Sequence, residues 1–333
     1  MAEPITLLSE ALVQRTESPV EITSAANSRY RQLTELFESA RARRRERLTV
    51  LEGWHLLDSW LMSPGPTPVA TDADAPVQTR APGMKARHAG PQLYSLVLPR
   101  RTWARVLAAD PHEAGRTLSA ATGPSASDDT ALLRGQAALQ ALCAARWLVL
   151  DDRLFDSLDV LPSPAPLLAL VPTPQPPLPD AIEGLDAVIL DRVQDPGNVG
   201  AIIRTAAAAG IRLLITTPGT AACWAPKVLR AGMGGHFAMT MFESVPIDAV
   251  LARLKLPLVG TVVQPGRTIS LYQADLCPPL AWVFGNEGEG IDVALRARLT
   301  QGVTIPQTDG VESLNVAAAA AVCLFEQRRQ RLG

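Results

Sequence analysis

Three short blocks hold the residues best suited to chemistry. They are Asp195-Pro196-Gly197-Asn198-Val199-Gly200 running to Arg204, then Gly285-Asn286-Glu287-Gly288-Glu289-Gly290, then Ile305-Pro306 followed by Ser313-Leu314-Asn315-Val316. Each sets a Gly, Asn or Pro turn at the end of an apolar run, and open α/β sheets build ligand sites at such strand ends. In the first block Pro196 fixes φ and Gly197 frees it, which makes Asn198 the expected cap of the next helix. Arg204 is the only charge on that helix. Burying an unpaired guanidinium is costly, so Arg204 is expected to pair with Asp191, Asp195 or a helix end, or to aim at a phosphate or a reacting hydroxyl. The second block spaces its glycines Gly-x-x-Gly-x-Gly, with carboxylates between them. This is not the dinucleotide fingerprint, and its acids would repel a phosphate. It fits a neutral or cationic ligand packed against backbone, or simply a tight turn. In the third block Ser313 reads as a helix N-cap, and Asn315 can be a cap as well.

The elements that must position these blocks alternate strand and helix. The spacing predicts strands at Ala187–Leu190, Leu213–Thr216, Leu258–Val263, Ala281–Phe284 and Val303–Ile305. Helices are predicted from about Val199, near 225–231, at 247–254 and 293–299, and from Leu314 to Arg329. Apolar strands alternating with helices indicate a parallel sheet covered on both faces. Ahead of this lies a smaller α/β pattern, with a helix at 29–47 and strands at 48–51, 93–98, 147–150 and 167–171. The helix ends in a basic run of Arg41, Arg43, Arg44, Arg45 and Arg47. Such a run can touch RNA phosphates or be a solvated helix end. Residues 1–20 read as a disordered lead-in, about 63–92 as a flexible insertion, and 172–184 as a stiff Pro-rich linker. The expected domains are therefore 21–171 and 185–333.

The chain has 333 residues, net charge −2 and 47% apolar content. Any nucleic-acid surface must then be a local patch. No apolar run is long enough for a membrane span, and the start lacks a signal-peptide pattern, so a cytoplasmic protein without membrane contact is expected. The four cysteines are far apart and the four histidines scattered. The expectation is reduced, mostly buried thiols and no metal site.

With all three blocks in order, residues 186–331 resemble the SpoU/TrmH family of RNA ribose 2′-O-methyltransferases, a branch of the SPOUT superfamily. The front of the chain is similar to that family's ribosomal-protein-like RNA substrate-binding domain, through Thr49-Val50-Leu51-Glu52-Gly53-Trp54-His55-Leu56-Leu57 and through Trp147–Asp152 with Leu167–Val171. The resemblance implies a C-terminal trefoil knot, which connection rules alone would not suggest. It also implies S-adenosylmethionine held by Thr261, Gly285, Ile305 and Leu314. Its catalytic set would be Arg204, Asn198, Glu287, Ser313 and Asn315, with Glu287 the expected ion-pair partner of Arg204. Arg41, Arg43, Arg44 and Arg45 would bind RNA, and a homodimer is implied. The reaction would be methyl transfer to a ribose 2′-hydroxyl, of rRNA first and tRNA second, without a metal. A non-catalytic RNA-binding protein on the same scaffold is the rival reading; a dinucleotide-dependent oxidoreductase lacks its glycine motif.

Overall fold

The computed structural model describes residues 4–63, 92–109, 128–158, 166–262, 268–308 and 313–332. The expected insertion at about 63–92 lies almost wholly outside them. The chain divides into two compact units, with the boundary between Thr173 and Pro174.

The first unit is built on a five-stranded sheet of β1 (Val20–Ile22), β2 (Leu48–Glu52), β3 (Ser95–Pro99), β4 (Arg146–Leu150) and β5 (Leu168–Pro172). The spatial order is β1-β4-β3-β5-β2. Strands β1, β4 and β3 run parallel, whereas β5 is antiparallel to both β3 and β2. Every residue of β2 and β3 is buried, as expected of strands covered on both faces.

The single helix expected over 29–47 is two, Ser28–Glu38 and Ala40–Glu46. Asn27 caps the first, its side chain accepting from the Arg29 amide, and Tyr30, Leu33 and Leu36 form its buried stripe. Ser39 leaves the helical region, and its hydroxyl accepts from the Ala42 amide to start the second helix. A side chain that can satisfy an orphan N–H turns a pause into a cap.

The disordered lead-in expected at 1–20 is corrected. Pro4–Val13 is a helix with Leu7, Leu8 and Ala11 buried, packed on the helices Arg100–Ala108 and Asp128–Ala144. Val20–Ile22 then pairs with β4. The linker is also shorter than expected. Ile182 is buried and exchanges backbone hydrogen bonds with Arg253 and Lys255, so its end belongs to the second unit.

The second unit holds a seven-stranded sheet of β6 (Ala187–Leu190), β7 (Leu213–Thr216), β8 (Thr240–Phe242), β9 (Leu258–Thr261), β10 (Thr268–Ser270), β11 (Ala281–Phe284) and β12 (Gln301–Thr304). The order is β10-β12-β9-β11-β6-β7-β8, and all six pairings are parallel. The chain steps outward from β6 through β7 to β8, then crosses over to β9 beyond β11. Such a reversal opens a crevice at the carboxyl ends of the strands.

One close approach and one pair of hydrogen bonds position the surrounding helices. A Cβ at Gly200, on the helix Pro196–Ala209, would lie 2.5 Å from the Ala231 Cβ and the Val228 carbonyl. Only glycine lets that helix press on Pro226–Gly232. The C-terminal helix Val316–Leu332 is fixed by Gln327, whose side chain accepts from the Trp282 indole at 2.8 Å and donates to Asp186 at 3.0 Å. Paired in this way, Gln327 can be buried without an orphaned polar group.

Candidate active site

The crevice at the ends of β9, β11 and β12 is a cavity of about 640 Å³, within the range of small-molecule sites. The four residues expected to hold a cofactor come together there. Thr261 ends β9, Gly285 follows β11, Ile305 follows β12, and Leu314 precedes the C-terminal helix; all four line the cavity. Glu287, Ser313 and Asn315 line it too.

Gly285 is required by a close approach. A Cβ there would meet the Gly290 carbonyl carbon at 2.4 Å and the Ile291 nitrogen at 2.5 Å. The loop therefore folds back on its own strand end. Its backbone is closed by reciprocal hydrogen bonds between Asn286 and Gly290, and the Asn286 carbonyl oxygen of the side chain accepts from the Gly288 and Glu289 amides.

Three catalytic candidates form one chain of hydrogen bonds. The Asn315 Nδ2 donates to the Asn198 Oδ1 at 3.0 Å, and the Asn198 Nδ2 donates to the Glu287 Oε1 at 2.7 Å. Residues from three separate sequence blocks thus fix one another's orientation. The capping roles differ from expectation. Asp195, not Asn198, caps the Pro196 helix, accepting from the Asn198 amide at 2.8 Å. Asn315, not Ser313, accepts from the first amides of the C-terminal helix, those of Ala317 and Ala318. Asn315 therefore serves as a cap and as part of the site. Ser313 is exposed at the cavity rim.

Arg204 departs most from expectation. It is exposed and makes no hydrogen bond or ion pair among the described residues. The premise that it is buried and needs an internal partner is therefore corrected, as is the expected pair with Glu287, which instead receives the Asn198 amide. Six residues beyond Asn198, Arg204 sits about 9 Å further along the axis and about 120° around it. Its Cα lies against the Gly235 turn. The acids offered as its partners are engaged elsewhere. Asp191 is fully buried and accepts from the Thr217 hydroxyl and the Asp292 amide.

In the basic run of the first unit, Arg43 is buried, and its Nη1 donates to the Leu36 and Phe37 carbonyls. That closes the end of the preceding helix, so its expected place in an RNA-binding surface is corrected. Arg41, Arg44 and Arg45 are exposed, and Arg45 pairs with Glu35 and Glu46. The four cysteines are free; Cys223 and Cys323 are buried, but Cys277 is exposed. Burial pushes the Cys323 thiol up to about 12.

The fold is thus an open α/β sheet with a cavity at the carboxyl ends of β9, β11 and β12, walled by three loops. Sequence comparison gives that architecture a family: the chain belongs to the SpoU rRNA methylase family, whose profile matches residues 187–325. The Bacillus subtilis 23S rRNA (guanosine(2553)-2′-O)-methyltransferase RlmP is 32% identical over 183 residues, 54% of this chain and 71% of that protein. The Bordetella pertussis 23S rRNA (guanosine-2′-O-)-methyltransferase RlmB is 40% identical over 158 residues, 46% of this chain and 64% of that protein. The chain spans 53% to 64% of the length of several such curated relatives. In fold, the chain is similar to an AdoMet-bound rRNA methyltransferase from Sinorhizobium meliloti, with a TM-score of 0.66 over 94% of this chain and 98% of that one, at 23% identity. Among the described residues, no helix is long and apolar enough to cross a membrane.

Proposed function

We propose that this protein transfers a methyl group from S-adenosylmethionine to a ribose 2′-hydroxyl of RNA, with rRNA the first candidate and tRNA the second. The observation that carries this reading is the Asn315–Asn198–Glu287 chain at the rim of the cavity that Thr261, Gly285, Ile305 and Leu314 line. The cavity suits the cofactor. Ile305 and Leu314 offer apolar contact, the Gly285 wall is bare backbone, and Glu287 favours a cation. When bound, S-adenosylmethionine supplies a methyl group on a positively charged sulfur. The rRNA preference draws on the names of the RlmB and RlmP relatives.

The protein's own contribution is placement and charge. Asn198, Glu287, Ser313 and Asn315 orient the ribose; good placement is worth several kcal/mol. Arg204 stabilises the 2′-oxygen as its proton passes to a phosphate oxygen of the RNA or to solvent; a guanidinium, which stays protonated, acts here through its charge. Because Arg204 projects away from Asn198 on one helix, it serves the site of a second copy of the chain, which makes the enzyme a homodimer. The exposed Phe325, on the C-terminal helix packed against the Arg204 helix, supports an interface there. Arg41, Arg44 and Arg45 contribute salt-dependent contacts to RNA phosphates.

Labelled S-adenosylmethionine and total RNA from cells lacking the protein test the reaction. The expected product is a new 2′-O-methylnucleoside in one rRNA fraction. Arg204→Ala is expected to lower turnover at least 100-fold while cofactor affinity and thermal midpoint hold. Near-normal turnover in that variant would remove Arg204 from the mechanism. Cofactor binding without transfer to any RNA would favour the non-catalytic reading.

A further inference from the structure

We infer that Arg192 is a positioning residue: with Asp191 it latches the Gly285–Gly290 loop shut, and so sets both the cofactor wall and the place of Glu287. The inference rests on the cofactor reading above for its functional half. Arg192 lies two residues past the end of β6 and adopts φ +55°, in the left-handed region that only glycine enters freely. Nothing in an arginine side chain favours that backbone, so its contacts must hold it.

Those contacts converge on one loop. The Arg192 carbonyl accepts from the Asn286 Nδ2 at 2.9 Å. Its guanidinium pairs with Glu289 and donates to the Gly290 carbonyl at 3.3 Å. One residue earlier, the buried Asp191 carboxylate accepts from the Asp292 amide at 2.7 Å and pairs with the Arg192 guanidinium at 3.4 Å. The start, tip and end of the loop are thus all tied to two adjacent residues. The Arg192 amide is itself held, donating to the Thr217 hydroxyl at 3.1 Å.

The loop so held bears the functional groups. Gly285 and Gly290 line the cavity, and Glu287 at the tip accepts from Asn198. Loss of the guanidinium removes two of the ties, while the Asn286–Gly290 backbone pair remains. The loop would then keep its turn but swing relative to β6, carrying Glu287 out of reach of Asn198. The latch is an arginine whose planar fork reaches two acceptors on the loop and Asp191 beside it, a geometry that lysine reproduces only in part.

Arg192→Gly tests this without backbone strain, since glycine accepts the left-handed conformation. Amide hydrogen exchange of residues 285–292 without cofactor is read first, then S-adenosylmethionine affinity by calorimetry, then turnover. The expectation is faster exchange confined to the loop, a lowered thermal midpoint because the buried Asp191 loses its cation, and cofactor affinity about tenfold weaker. Arg192→Lys should recover part of that affinity, and Glu289→Gln, which removes one arm of the latch, should lose part of it. Unchanged exchange and affinity in Arg192→Gly would overturn the inference. Faster exchange with unaltered affinity and turnover would overturn the positioning role and leave a structural contact. Should Arg192→Gly fail to fold, Glu289→Gln decides by the same readouts. If the unaltered protein binds no S-adenosylmethionine while the loop still depends on Arg192, the latch stands and the proposed function fails.

Discussion

At the scale of single residues, the same side-chain type meets different fates for physical reasons that its neighbours decide. Arg43 is buried and capped by carbonyls, Arg192 clamps a loop, and Arg204 is exposed. His236 shows how environment sets ionisation. It is 1% exposed, its Nε2 bonds the Cys223 carbonyl at 2.9 Å, and its Nδ1 has no partner among the described residues. Burial, opposed by that carbonyl, brings it from 6.5 to about 4. The unfolded chain therefore binds this proton more readily than the folded one between those values. Its contribution to stability is complete above pH 6.5 and is lost as pH falls toward 4, on the order of 3 kcal/mol in all. Urea unfolding from pH 7 to 4, followed by fluorescence of the neighbouring Trp224, should show that loss. The slope should be shallower in His236→Gln; equal slopes in the two proteins would mean other groups govern the acid limb.

At the scale of elements, the long apolar strands and the helices after them were legible from sequence. Ala187–Leu190, Leu213–Thr216 and Ala281–Phe284 agree with their predicted bounds. The three strands that sequence reading missed, Val20–Ile22, Thr240–Phe242 and Thr268–Ser270, are three residues each and sit at sheet edges. Three residues give too little periodicity to detect, and pairing with a neighbour is what makes them strands. The first helix was missed because its apolar positions look loose until partners are present. Leu8 is fully buried against the helices of its unit, so Leu8→Ala should cost about 2–5 kcal/mol. A thermal-melt shift equivalent to less than about 0.5 kcal/mol, the size of an ordinary surface change, would return the segment to a frayed lead-in.

At the scale of the whole molecule, the proposed roles fall on different units. The site lies wholly within the second, while the exposed arginines offered to RNA lie in the first. The proposed pairing of two copies gives the exposed Phe325 a place to be buried; the residue is 47% exposed in a single chain. Phe325→Glu should convert a dimer to a monomer by light scattering and abolish turnover, because Arg204 would lose the site it serves. The secondary structure of each chain should persist in the circular dichroism spectrum. A monomeric unaltered protein, or a variant that stays dimeric, would refute this arrangement.

The sequence by itself determined the parallel sheet, the three loops and the residues on them, because strand periodicity and turn chemistry are local. Family resemblance, carried by those same residues, extended this to four residues expected to hold a cofactor, all of which line one cavity. Tertiary structure alone decided which side chains meet. It made Asn198 a bridge between Glu287 and Asn315, residues 89 and 117 positions away. It left Arg204 exposed although every neighbour on its helix is small or apolar, and it placed Arg192 in a backbone conformation its type does not favour. Contacts between residues so far apart along the chain depend on how strands are ordered in the sheet, and no local pattern encodes that order.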